Sequence, residues 1–368
     1  MKKYILISTF LAMAFSLCCQ TTQKLTANSN NGYGLVYDLP ITAIDVTIEA
    51  EKIVKQPGIF YRYAKKYLNI DEPISEHSQS WEIKSVVIST RGIADPNERY
   101  IMEFKKGKSP FMIVSENNFP VAINTENTLT ELEPDLPISA EPTPTPLESD
   151  AAQQVLSQEM LQSQSSAKQA EIAAQQIYVL RQSRTDLITG QADQMPPDGQ
   201  AMKMILDNIS AQEAALTAMF AGTEQRSTEV RTYSITPDNM ANDTIIARLS
   251  GSNGLTDTYD LSGEPIYLFS EIIEYGQLPI NEKSGKAKEF PKGGLAYRIP
   301  GKAKVSIEYN GTILTEKTLD IAQYGPVFGL DPNILVGSNN ILTGKKAPAY
   351  VIFDPKTGAI KELGTIAQ

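Results

Sequence analysis

Apolar residues recur at helical spacing through the middle of the chain. Leu156, Met160, Ala167, Ala170, Ala174 and Ile177 follow one another at offsets of 4, 7, 3, 4 and 3. Met202, Ile205, Ile209, Leu216 and Met219 resume the rhythm after the break at Met195-Pro196-Pro197-Asp198-Gly199. The spacing predicts two antiparallel amphipathic helices, a hairpin over residues 149–222. Gly190 and Gly222 stand where C-terminal caps are expected, because a left-handed residue there satisfies the last carbonyls. Run without interruption, the first helix would be about 60 Å long and the second about 30 Å. The Gln- and Ser-rich stretch 153–166 is therefore expected to project beyond its partner or to fray.

On either side the hydrophobic period shortens to two. Residues 81–90, 100–104 and 111–114 before the helices are short β-branched or aromatic runs between Gly-, Pro- and Asn-rich turns. So are 265–273, 304–309, 313–321, 350–353 and 359–363 after them. Asp354-Pro355-Lys356-Thr357-Gly358 predicts a hairpin turn, with Pro fixing φ and Gly accepting a positive φ. One short helix is expected at about 58–68, following Pro57, with Phe60, Ala64 and Tyr67 on one face. Pro134, Pro137, Pro142, Pro144 and Pro146, in an acidic context, predict a linker or exposed loop over 133–148, since that many prolines remove backbone donors.

An internal repeat organises the β regions. Gly34-Leu35-Val36-Tyr37-Asp38-Leu39-Pro40 returns as Gly294-Leu295-Ala296-Tyr297-Arg298-Ile299-Pro300. Ala43, Val46, Ile48 and Glu49 then match Ala303, Val305, Ile307 and Glu308 with one residue of slip. Each copy predicts a short strand, a Pro-marked corner and a second, alternating strand, the mark of a duplicated β unit. The expected fold is α+β: two related antiparallel β domains, sandwich-like or meander, with an inserted long α-helical hairpin. Their limits are 20–132 for the first β-rich domain, 133–148 for the Pro-rich linker, 149–222 for the hairpin and 223–368 for the second β-rich domain. The unit at 34–49 recurs within that last domain at 294–308.

Residues 1–19 stand apart from this pattern. A cationic start, Lys2 and Lys3, precedes an apolar run over 5–17 that is too short for a membrane span, which predicts a secretory signal peptide. Cleavage before Gln20 removes Cys18 and Cys19, the chain's two cysteines. A lipid anchor at Cys18 or Cys19 fits less well, because Phe15 and Ser16 stand where lipoproteins carry Leu. The expected location is the periplasm or the outer-membrane surface. The 368 residues are 41% hydrophobic and 21% charged, with a net charge of −10 and no basic run longer than two residues. Nucleic acid and anionic membrane surfaces are thus poor partners, and an integral membrane protein is not expected.

The inventory for chemistry is short. His77, the only histidine, sits in the polar run Glu76-His77-Ser78-Gln79-Ser80 and is expected at the surface. With no cysteine left after export, Cys–His pairs and the usual zinc sites have no residues to build them. No nucleophile elbow or phosphate loop occurs, and Gly251-Ser252-Asn253-Gly254 and Lys292-Gly293-Gly294 are expected as turns. Asn253, Asp257, Asp260 and Glu264 gather oxygen ligands suited to Ca²⁺, but their spacing is no EF-hand and an ordinary acidic turn is favoured. Phe60, Tyr61, Tyr63 and Tyr67 could stack on sugars, yet their helical spacing favours core packing, and one Trp, Trp81, makes no wide platform. Paired carboxylates for glycoside hydrolysis depend on the fold and stay open. Accordingly no catalytic, cofactor-binding or metal-binding residue is assigned, and no cofactor is expected.

Several separated motifs carry a resemblance. Leu39-Pro40 with the run to Glu49, Pro57-Gly58-Ile59-Phe60 and Tyr63-Ala64-Lys65-Lys66-Tyr67-Leu68 resemble the start of a family of uncharacterised exported proteins of Bacteroides-type bacteria. Arg181-Gln182-Ser183-Arg184, Pro196-Pro197-Asp198-Gly199 and Phe220-Ala221-Gly222 are similar to its centre. Tyr297-Arg298-Ile299-Pro300-Gly301-Lys302-Ala303 and Ala322-Gln323-Tyr324-Gly325 are similar to its end. Asp243-Thr244-Ile245 likewise resembles the sequon for O-glycosylation of exported proteins in such bacteria. The resemblance implies location and architecture, with no substrate to carry over. The expected function is a non-enzymatic cell-envelope binding or assembly module acting through protein contacts, its partner an envelope protein or glycan. The alternative is a carboxylate-based hydrolase, or a binding protein, for envelope glycans or peptides.

Overall fold

The computed structural model describes residues 21–25, 34–103, 112–125, 135–237, 243–331 and 349–365; the expected signal peptide lies outside them. Among these residues strand outweighs helix, 45% against 24%, in a mixed α and β arrangement with several antiparallel sheets. The elements run β1 (Thr21–Lys24), β2 (Gly34–Gln56), α1 (Ala64–Leu68), β3 (Ser78–Glu103), β4 (Met112–Val114) and β5 (Pro120–Ile123). Next come α2 (Asp150–Gln154), α3 (Gln158–Gln162), α4 (Ser166–Thr189) and α5 (Gly199–Ala221). The chain returns to strand with β6 (Thr223–Ile235), β7 (Asp243–Ser250), β8 (Gly254–Thr256), β9 (Glu264–Glu274), β10 (Leu295–Arg298) and β11 (Gly301–Tyr309). It closes with β12 (Thr312–Ile321), β13 (Val327–Leu330), β14 (Ala349–Phe353) and β15 (Ile360–Thr365).

Two sheets build the main core. One has the order β1-β3-β2-β6, the other β12-β11-β9-β7-β8. Along β2 the alternation is strict: Ile44, Val46, Ile48 and Ala50 face inward and are fully buried, while Asp45, Thr47, Glu49 and Glu51 take the other face. Val305 and Ile307 of β11 and Ile266 and Leu268 of β9 meet them from the second sheet. The matched parts of the repeat, 43–49 and 303–308, thus lie in different sheets and share one core. In the first copy Pro40 makes no corner, because β2 runs on through it. The partner strand absorbs the mismatch instead, four residues of β3 (95–98) standing opposite Leu39 alone. For the same reason the separate strands expected at 81–90 and 100–104 are parts of one 26-residue strand.

Hydrogen-bonded pairing also runs between strands on opposite sides of the helices. β2 pairs with β6 over 13 residues, and β5 with β14 in the sheet β15-β14-β5-β4. A second core forms where that sheet and the β10-β13 pair meet Tyr37, Leu39, Tyr100 and Met102 of β2 and β3. Its centre is Tyr37, whose hydroxyl accepts from the Ala296 N–H at 2.9 Å; one repeat copy thereby holds the backbone of the other. Two further links tie each copy to the other part of the fold. Gln323 bonds the Thr42 backbone in both directions, at 2.9 and 3.0 Å, and Asp95 in the β3 bulge pairs with the buried Arg298.

The helical region departs from its expected lengths. The 60 Å first helix is broken into α2, α3 and α4, because Ser157 caps a new start by accepting from the Met160 N–H and Ser163 and Ser165 interrupt again. α4 and α5, of 24 and 23 residues, come out nearly equal at about 36 and 34 Å. The segment expected to project folds back instead, and Val155 and Met160 are buried with Ala170, Ala174, Ile177, Leu216, Met219 and Phe220. Phe60 and Ala64 close this third core, the Phe60 and Phe220 rings 5.4 Å apart. Burying Leu216, Met219 and Phe220 contributes about 1.5–3 kcal/mol each. Gly190 and Gly222 end α4 and α5 at φ of 73° and 84°.

Candidate functional site

Because β2 alternates, its outward row carries three carboxylates, Asp45, Glu49 and Glu51, at spacings set by the pleat. Neighbouring strands supply a cation to each. Arg91 Nε meets Asp45 at 2.8 Å, Lys84 Nζ meets Glu49 at 3.2 Å, and Arg226 meets Glu51 at 2.6 Å. Thr47 between them bonds Thr232 at 2.8 Å. The Ser85 hydroxyl, donating at 2.7 Å, and then Lys84 hold the Glu49 carboxyl below its ordinary range. A general acid in glycoside hydrolysis needs the opposite shift. Chemically this row is an ion-paired face.

Beside Asp45 the face deepens into a cleft of about 470 Å³. Ser89, Arg91 and Gly92 of β3 form one wall, Asn117 and Phe119 of the β4–β5 loop and Pro355 of the β14–β15 turn the others. The turn forms as its sequence requires: Gly358 takes φ of 70°, and the Asp354 carboxylate accepts from the Lys356 N–H at 2.8 Å. Phe119 is buried, so the cleft presents no open ring. Across the same sheet the Pro-rich segment lies along the edge of β6. Ala140 bridges Thr228 in both directions at 3.0 and 3.1 Å, and Ser139 Oγ accepts from the Val230 N–H at 3.0 Å.

The residues singled out by sequence are scattered. His77 is exposed just before β3. Asn253 lies in the β7–β8 turn, Asp257 and Asp260 in the β8–β9 connection and Glu264 at the start of β9. A cation is already built into that connection: Arg248 donates to the Thr258 carbonyl at 2.8 Å and to the Gly263 carbonyl at 3.0 Å. Asp260 accepts from the Ser262 N–H at 3.0 Å, which holds its carboxyl below the usual range. Among the described residues no three His, Cys, Asp or Glu side chains converge as metal ligands. Phe60 and Tyr67 pack with the helices, as their spacing favours. Trp81 lies against the main core beside Gly254. Thr244 is half-buried in β7, in register with Leu268.

What the helices expose is more pronounced. Past Ile177 only Leu187 of α4 is buried, and before Ala215 no residue of α5 is. Ile188, Met195, Met204 and Ile205, at 65%, 49%, 69% and 39% exposure, lie along these ends and their connection. Arg181 and Arg184 both reach Glu213, at 2.7 and 3.8 Å, and tie the two helices together just below.

A family model described as a domain of unknown function, DUF4831, matches residues 33–361. The chain belongs to the DUF4831 family. No curated protein and no solved structure matches it. The DUF4831 match takes in both copies of the repeat, the Pro-rich segment and all of α1–α5. It also takes in the Asp45 row and the cleft, which sequence reasoning missed although the β2 alternation already set Asp45, Glu49 and Glu51 on one face. Their partners Arg91 and Arg226 carry no such signal, because strand pairing alone brings them there. Among the described residues of this DUF4831 chain, no helix is long and apolar enough to cross a membrane.

Proposed function

We propose that the chain is a binding module of the cell envelope that engages a protein partner through the far ends of α4 and α5. The observation that carries this reading is the exposed set Ile188, Met195, Met204 and Ile205 on helices whose near halves bury their apolar seam in the third core. Exposed Met and Ile gathered on one projecting element mark an interaction surface, because the same side chains would otherwise be selected for burial or polarity. The envelope setting rests on the cationic start and apolar run of residues 2–17. A photo-crosslinking amino acid at position 204 is the test, with position 82 on β3 as the control, in cells that make the full chain. A discrete adduct from 204 that is absent from 82, and lost when Ile188→Asp is added, is the expected result. Equal adducts from both positions, or none from 204, would refute it.

A further inference from the structure

The outer face of the second sheet holds a hollow that neither core nor helices use. Strand register sets it out as rows: Asp243, Phe269, Ser306 and Glu316 in one, Ile245, Tyr267, Glu308 and Ile313 in the next. Ser306 is the short side chain at the centre, and the space it leaves is about 520 Å³, within the range of small-ligand sites. Phe269 walls one side and Ile313, 56% exposed, the other. The Tyr267 and Phe269 rings lie side by side, centroids 5.9 Å apart and within 29° of parallel. Lys304 and Glu316 close the hollow with an ion pair at 2.8 Å, and Glu271 stands next to Lys304 in the register.

We propose that this hollow binds a neutral saccharide. Carbon-bound hydrogens of a pyranose ring pack against aromatic and aliphatic walls such as Phe269 and Ile313. Its hydroxyls both donate and accept, so they suit a paired carboxylate and ammonium without parting them. A polyanionic glycan would meet Asp243, Glu271, Glu308 and Glu316, with Lys304 and the neighbouring Lys302 too few to offset them. A basic peptide would be drawn to these carboxylates but would have to part the Lys304–Glu316 pair, and it is the competing ligand in the test. An extended peptide cannot add as a strand at the centre of the hollow, because β11 is already paired on both sides; the edge of the sheet is β12.

The test uses the full chain, titrated with cellohexaose, maltohexaose, mannohexaose and N-acetyl-chitohexaose by calorimetry and saturation-transfer NMR. A lysine hexapeptide and a heparin hexasaccharide serve as controls. At least one neutral hexasaccharide is expected to bind saturably at micromolar to millimolar affinity. Phe269→Ala should weaken it about ten-fold, and Ser306→Trp, which fills the hollow from a solvent-facing position, should abolish it while leaving the thermal midpoint unchanged. Absence of saturable binding by all four overturns the proposal. So does binding that survives Ser306→Trp, or binding of the lysine peptide or heparin in place of the neutral sugars.

Discussion

Tyr37→Phe isolates one hydrogen bond between the two repeat copies. The hydroxyl accepts from the Ala296 N–H at 2.9 Å, and its 3.4 Å approach to the Ala296 carbonyl is too long to count as a second bond. Tyr37 and Ala296 are both fully buried, so no water replaces the lost acceptor. The ring stays, packed against Tyr100 at 5.7 Å, and no cavity larger than one oxygen opens. What remains is the loss of one neutral bond plus the desolvation of an orphaned N–H, about 1–3 kcal/mol in all. For a chain of this size that is a fall of about 1–4 °C in thermal midpoint. Urea unfolding followed by Trp81 fluorescence, the one tryptophan, together with far-ultraviolet circular dichroism measures it. Val36→Ala at the half-exposed neighbour is the control, expected within about 0.5 kcal/mol of the parent. A Tyr37→Phe loss under about 0.5 kcal/mol would sink the argument, and one above about 4 kcal/mol would show that the ring had moved instead.

Three other outcomes follow from the same structure. Burial pushes the Tyr37 hydroxyl well above its ordinary range, and burial with the Glu98 carboxylate does the same to Tyr100. A raised folded value means stability that is complete below about pH 10, the unfolded tyrosine value, and lost as pH rises further. Urea midpoints should therefore fall above that pH, less steeply in Tyr37→Phe, and a flat profile contradicts the reading. Gly92→Ala sets a Cβ 2.3 Å from the Pro355 carbonyl oxygen, a backbone atom that cannot swing aside. It should destabilise by about 1–3 kcal/mol with faster exchange in the 354–358 turn, and a neutral effect would be a failure. Arg248→Ala withdraws the donors to the Thr258 and Gly263 carbonyls, so amides of 257–263 should exchange about ten-fold faster while the core strands keep their protection. Unchanged exchange there would show that the clamp does not hold the loop.

Local chemistry was legible in the sequence wherever a residue's role depends on its neighbours in the chain. Period-two alternation marked β9, β11 and β12, helical spacing marked Ala170, Ala174, Ile177, Leu216 and Met219 as buried, and Gly190, Gly222 and Gly358 took the positive φ their positions require. β6 left no such trace: Thr223–Ile235 is mostly polar, and its strand state comes from pairing with β2 over 13 residues. Ser157 looked like part of one long helix, since nothing adjacent shows that its hydroxyl would find the Met160 N–H while Val155 and Met160 turn into the core. The long-range links, Tyr37 to Ala296, Thr42 to Gln323 and Asp45 to Arg91, span 259, 281 and 46 residues. Only tertiary structure decided them, because a hydrogen bond or ion pair depends on separation in space, and a chain's spacing reports that only within an element. The same holds for the exposed ends of α4 and α5: their apolar periodicity runs to the tips, and whether a neighbour covers it was settled by how far the body of the fold extends.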